Sequence, residues 1–213
     1  MAMQLKGKKV LVTGAARRGG RAIALELKRR DADVAWHYHT LPREALQIDR
    51  TFRADLSRMS DVEKLAAQVE KTLGPIDLLI NNAACFFKTP LARVTEKEWD
   101  RLLDTNLKGP FFLARRIGLR MKRQKRGVIV NIADWAGLHP YKEYLPYSLS
   151  KAGLITMTRG LARILGPEVK VIAVAPKVID DFPRFARFLV DLLEKGRYQN
   201  GATYSVDGKK LVG

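Results

Sequence analysis

A chain of 213 residues, 46% hydrophobic and 29% charged, has the length and balance of one soluble globular domain that buries its own core without metal or disulfides. No apolar run reaches membrane-spanning length, and a single cysteine, Cys85, excludes an internal disulfide and points to a reducing cytoplasm. The formal charge of +17 attracts anions, including dinucleotide phosphates, acidic substrates and nucleic acid.

The opening MAMQLKGKKV is basic but runs straight into a strand-like LVTG, with no apolar signal core and no small-residue cleavage site. The first strand ends in Thr13-Gly14-Ala15-Ala16-Arg17-Arg18-Gly19-Gly20, and the helical GRAIALELKRR follows. Glycines at a strand-to-helix turn permit close backbone approach, and the helix start offers free N–H groups to a pyrophosphate. Arg17 and Arg18 add positive charge where phosphates would sit.

The second strand, DVAWHYH, closes on Tyr38-His39-Thr40 with no acid at its end. NAD-preferring folds place an Asp or Glu there to bind the ribose, whereas Asp33 lies at the other end of this strand. With Arg17 nearby, the absence favours NADP(H) over NAD.

Next come strand-like QIDRTFRADL, helical RMSDVEKLAAQVEKTLG and the strand in PIDLLINNAA. A helix near Glu96–Leu103 and a longer one beginning near Asn106 precede the strand in RGVIVNIADWAG. The longer helix carries the densest cationic run, residues 114–126, with Leu113, Ile117 and Met121 recurring every four residues. That pattern is an amphipathic helix with a basic solvated face. Aromatic residues are not interleaved with the charges, so nucleic acid is not an expected partner.

A helix from about Pro146 to Leu165, the strand EVKVIAVAP, a helix over Phe182–Lys195 and a last short strand ATYSVDG complete the chain. Val/Ile-rich strands alternating with helices predict a Rossmann-type α/β domain over 1–213. Its parallel sheet has about seven strands, with helices on both faces. In such sheets ligands bind beyond the carboxyl ends of the strands.

The helix beginning at Pro146 carries Tyr147 and Lys151, a phenol and an ammonium four residues apart and so on one face. A free phenol has a pKa of about 10, and a nearby ammonium lowers it. The pair suits a general acid that protonates a carbonyl oxygen as hydride reaches the carbon.

With these motifs in order, the sequence resembles a short-chain dehydrogenase/reductase over nearly its whole length. The matching stretches are TGAARRGG, Asp55 in RADL, Asn81-Asn82-Ala83, Asn106 in DTNLKGPFF, NIAD and the Tyr147/Lys151 pair. The resemblance implies a nicotinamide cofactor held by Gly14, Arg17, Arg18, Gly19 and Gly20, then by Tyr38, His39 and Thr40. It adds Asp55 and Leu56, Asn82 and Ala83, and finally Tyr147, Lys151 and Ile179. Asp55 would hold the adenine amine, Lys151 the nicotinamide ribose, and Asn106 a water of the proton relay.

Where most of that family has Ser, thirteen residues before the Tyr, this chain has Asp134, and Arg18 replaces the middle glycine of the phosphate turn. Both changes, with NNAACFFKTPL and HYH, resemble the pteridine reductase branch, in which the Asp works with the Tyr on a pterin ring. Phe86 and Phe87 would then stack on a flat heterocycle. Asp134 equally suits a turn in Asp-Trp-Ala-Gly.

Pro176-Lys177 departs from the family's Pro-Gly, and the short segment before the last strand leaves little for a substrate lid. The expectation is an NADP(H)-dependent reductase of a small molecule, with Tyr147, Lys151, Asp134 and Asn106 catalytic. The alternatives are a carbonyl or 3-oxoacyl thioester reductase, or a dinucleotide-binding protein without turnover that uses its basic surface for a partner. A homo-dimer or homo-tetramer is implied, with no membrane association.

Overall fold

The computed structural model describes residues 3–40 and 50–212. One eight-stranded sheet runs in the order β3-β2-β1-β4-β5-β6-β7-β8. Strands β1 (Lys9–Val12), β2 (Asp33–Tyr38), β3 (Thr51–Arg53), β4 (Leu78–Asn81), β5 (Gly127–Ile132), β6 (Val169–Val174) and β7 (Thr203–Tyr204) are parallel, and β8 (Lys210–Val212) is antiparallel at the edge. The strand-like QIDRTFRADL contributes β3 from its middle, and its residues 47–49 lie outside the described residues. The eighth strand lies beyond the ATYSVDG pattern and pairs back on β7.

The central strands are continuous apolar runs because helices cover both faces. On one face, α1 (Arg18–Arg29) packs on α6 (Phe182–Lys195), with Ile23, Leu27, Phe185, Leu189 and Leu193 buried together. Each such side chain contributes roughly 1.5–3 kcal/mol relative to an exposed one. Arg30, just past α1, is ion-paired with Glu26 on α1 and with Asp191 and Glu194 on α6. The second core layer holds Val62 and Leu65 of α2 (Met59–Leu73), Leu113 and Ile117 of α4 (Gly109–Arg123), and Leu154 and Leu161 of α5 (Leu145–Leu165).

The helix α3 (Glu96–Leu103) starts in a capping box, Thr95 accepting from the Glu98 N–H and Glu98 from the Thr95 N–H. It runs through a π-helical turn, Asp104–Lys108, into α4. The cationic run of residues 114–126 is solvated, with Arg115, Arg123, Lys125 and Arg126 exposed, and three of its arginines are also ion-paired. Arg116 and Arg120 reach Glu70 of α2, and Arg126 reaches Asp77.

Strand order reverses between β1 and β4, which opens a crevice at their carboxyl ends. The ends of β4, β5 and helix α5 are tied by a buried polar ladder. Asn81 donates to Asn131 at 2.9 Å, Asn131 donates to Thr158 at 2.9 Å, and Thr158 donates to the Leu154 carbonyl at 2.8 Å. The segment after β6 is short, and α6 lies against α1 rather than over the crevice. No helix among the described residues is long and apolar enough to cross a membrane.

Candidate active site

A cleft of about 710 Å³ opens at the crevice, and Gly14, Arg17, Arg18, Gly19 and Gly20 of the phosphate turn line it. The turn is held by side chains as well as by glycine. Thr13 Oγ1 accepts the N–H groups of Asn82 and Ala83 at 2.9 and 3.0 Å, and Asn82 Nδ2 donates to the Thr13 carbonyl at 2.8 Å. Position 20 has no room for a side chain, since a Cβ there would lie 2.2 Å from the Gly14 oxygen and 2.5 Å from Asn82 Nδ2. Arg18 sits at φ +48°, the left-handed conformation that glycine adopts without strain. The turn therefore keeps its shape although the middle glycine is replaced.

Helix α1 begins at Arg18 with no acidic residue in its first turn and no side chain capping it. Its first N–H groups are thus open to an anion, as a pyrophosphate site needs. The other wall carries Tyr38, His39, Thr40, Asp55 and Leu56, with Asn82 and Ala83 across from them. Asp55 accepts from the Ser57 N–H and Oγ at 3.0 and 2.7 Å. Burial pushes its carboxyl up, and these bonds with the charges of His39 and Arg58 outweigh it, so the net direction is below the usual range. Asp33 is ion-paired with Arg50 at 2.7 Å, at the far end of β2 from the cleft.

Ile179 does not line this cleft. It packs half-buried against the core beneath α1 and α6, because the short link after β6 turns directly into α6.

Of the four residues expected to act on substrate, Asp134, Tyr147 and Lys151 meet after β5 and at the start of α5, and Asn106 reaches them only through Ser150. Tyr147 Oη donates to Asp134 Oδ2 at 2.7 Å. Asp134 Oδ1 accepts from the Ala136 N–H at 2.8 Å, so the same carboxylate caps the 3-10 turn Trp135–Gly137. The turn role and the contact with Tyr147 are held at once, one oxygen for each. Lys151 is buried, donates to the Ile132 carbonyl at 2.8 Å, and lies 5.7 Å from the Tyr147 ring centre. Burial pushes its ammonium down to about 8, with Asp134 opposing.

The expected lowering of Tyr147 by Lys151 is not the net result. Burial, then the charge and hydrogen bond of Asp134, hold the phenol well above its usual range. Tyr147 is therefore a firmly protonated donor in this arrangement.

Asn106 is fully buried within the π-helical turn. Its Oδ1 accepts the Cys85 N–H at 2.7 Å, and Nδ2 donates to the Cys85 carbonyl at 3.0 Å and to Ser150 Oγ at 3.1 Å. The side chain clamps the segment after β4 onto α5. Ser150 in turn donates to the Tyr147 carbonyl at 2.6 Å.

The two phenylalanines diverge. Phe86 is half-exposed, stacks on Tyr144 at 4.6 Å and meets the Tyr147 ring edge-on at 4.7 Å. Phe87 instead lies beneath the Arg101 guanidinium, 5.4 Å from its ring centre. Thr13, Ser150 and Tyr144 belong to the site, yet nothing in their spacing distinguishes them from other hydroxyl residues. His37, Ser57, Lys97 and Thr105 also line the cleft, and none of them stands out by spacing.

The chain matches the family described as short chain dehydrogenase over residues 8–185. A 3-oxoacyl-[acyl-carrier-protein] reductase from Staphylococcus epidermidis is 33% identical over 183 residues, covering 81% of this chain and 75% of that protein. One from Thermotoga maritima is 33% identical over 188 residues, covering 84% and 76%. A short-chain type dehydrogenase/reductase from Picea abies is 33% identical over 191 residues, covering 81% and 70%. Among solved structures, a blue fluorescent protein from a metagenomic library in complex with NADPH superposes with a TM-score of 0.84 at 28% identity, covering 97% of this chain and 98% of that one. The narrower resemblance to pteridine reductases finds no support among these relatives.

Proposed function

The chain belongs to the short-chain dehydrogenase/reductase family, and on that premise we propose that it is an NADP(H)-dependent reductase in which Tyr147 is the proton donor. The observation that carries this reading is the hydrogen bond from Tyr147 to Asp134 with Lys151 buried one turn along the same helix. The cleft suits a dinucleotide on its own terms: an uncapped helix start, a position that tolerates only hydrogen, and no acidic residue at the β2 end. That last feature, with the solved NADPH complex of a similar protein, favours NADPH over NADH.

The nicotinamide, when bound, supplies a hydride to an electrophilic carbon. Tyr147 gives its proton to the atom that gathers negative charge, which completes a two-electron reduction. Lys151, with its proton loosened by burial, returns a proton to the phenolate and anchors the ribose. Asn106 keeps the Cys85 backbone and α5 in register, so that the phenol and the cleft hold one geometry.

Asp134 decides the substrate class. A serine hydroxyl donates to a carbonyl oxygen, whereas this carboxylate accepts from Tyr147 and from Ala136 and offers further lone pairs only. It suits a substrate with N–H donors beside the reducible bond, and the half-exposed face of Phe86 suits a flat ring. We therefore favour a pteridine-type substrate. The second reading is a 3-oxoacyl thioester, favoured by the names of the similar proteins. The short link from β6 to α6 leaves little chain for a lid, which suits a large substrate.

NADPH consumption with dihydropterins, acetoacetyl thioesters and simple ketones separates the readings. Turnover of dihydropterins alone supports the first, turnover of thioesters alone the second, and no turnover of any would contradict both. Exposed Phe111 and Leu119 on α4, with Leu149 and Ile164 on α5, mark the face for self-assembly. Light scattering should give a dimer or tetramer.

A further inference from the structure

His37 lies beneath the cleft and takes no part in the proton chemistry. It is the second-last residue of β2 and is 1% exposed. Its Nδ1 lies 3.1 Å from the Gly14 N–H, and its Nε2 lies 3.1 Å from the Ala54 carbonyl. An amide N–H only donates and a carbonyl only accepts, so these partners select one state: Nδ1 bare, Nε2 protonated, ring neutral. The backbone of the same residue accepts the Ala15 N–H at 2.8 Å.

One residue thereby grips two consecutive amides of the phosphate turn and the residue just before Asp55 and Leu56. Gly14 is held at φ +65°, with its N–H turned to the imidazole, so the open N–H groups for an anion are those at the start of α1. A leucine would fill the same space but strand a buried N–H and a buried carbonyl. The charged neighbours are His39 and Asp55, and burial is the stronger influence, holding the ring in its neutral form.

We propose that His37 is a positioning residue for the dinucleotide. Its neutral ring ties the phosphate turn to the Asp55 wall, so that the two halves of the cleft are set at one spacing before the cofactor arrives. The gain is preorganisation: ordering is completed on folding and is not charged against binding. The inference rests on the cleft being a dinucleotide site.

Two substitutions separate its two bonds. His37→Gln keeps a donor for Ala54 but loses the acceptor for Gly14, whereas His37→Asn keeps an acceptor near Gly14 and is too short for Ala54. NADPH titration by fluorescence should show binding weakened about ten- to hundred-fold in His37→Gln and less in His37→Asn. The kcat at saturating NADPH should stay within about twofold. Lower thermal stability with unchanged NADPH affinity in both variants would reduce His37 to a core residue and overturn the proposal.

The ligand-free wild type gives an independent readout. Long-range proton–nitrogen spectra should show a bare Nδ1 coupled to the Gly14 amide between pH 6 and 8, about the range in which a free imidazole titrates. A protonated ring or the opposite tautomer would also overturn it. Failure of the wild type to bind NADPH or NADH would remove the dinucleotide reading itself, and the inference with it. That result differs from intact binding by the variants.

Discussion

The two halves of the site are built from different materials. The phosphate half is made of backbone: Gly14 and Gly20 in contact with Asn82 and Ala83, fixed by Thr13 and His37. The reacting half is made of side chains after β5 and on α5, where one hydrogen bond joins Tyr147 to Asp134 and a buried Lys151 is tied to the Ile132 carbonyl. Backbone geometry tolerates Arg18 in a glycine's place because the rest of the turn is over-determined. Side-chain chemistry has no such redundancy, so on the proposed reading Asp134 in place of a hydroxyl would change what the site can recognise.

That contrast is open to attack from either side. In the reacting half, Tyr147→Phe should cut turnover by about 10²–10⁴-fold while NADPH affinity stays nearly constant. Single-turnover NADPH oxidation with parallel titration measures both. In the phosphate half, Gly20→Ala should do the reverse. Its methyl meets the Gly14 oxygen and Asn82, so NADPH binding should weaken by tenfold or more, and stability should fall by about 1–3 kcal/mol. Equal loss of binding in the two variants would erase the distinction between the halves.

A pH measurement sharpens the role of burial in the phosphate half. Burial lowers His37 from 6.5 to about 4. The unfolded chain therefore takes up this proton first as pH falls, and the folded chain takes it up only near the lower value. Stability from His37 is complete above the unfolded value and is lost between the two, by about 3 kcal/mol. Denaturant melts at pH values spanning that window should show the loss, and His37→Gln should flatten it. The smallest effect is expected on the far side of α1, where Arg30→Ala removes half-exposed ion pairs to Asp191 and Glu194. Stability should drop by about 1 kcal/mol with no change in NADPH affinity.

The sheet was legible because buried parallel strands are continuous apolar runs, and the order of motifs placed the crevice correctly. The phosphate turn, the acid-free end of β2 and the Tyr147/Lys151 pair were legible because their spacing is itself the chemistry. Three features were not. The neutral state of Tyr147 depends on burial and on the exact approach of Asp134, neither of which spacing encodes. The side chain of Asn106 is engaged by Cys85 and Ser150, partners that lie 21 and 44 residues away. Ile179 packs half-buried against the core, a direction of which the short link after β6 gives no hint.

Tyr147 donates to Asp134, and the pH dependence of NADPH-driven reduction in wild type and Asp134→Asn shows whether that carboxylate holds the phenol proton. With the carboxylate present the phenol should stay protonated, and any basic limb should follow Lys151 at about pH 8. With Asn, the charge that raises the phenol is gone, so a basic limb should appear at lower pH. Superimposable profiles would contradict that role and leave Asp134 as the cap of the Trp135–Gly137 turn alone.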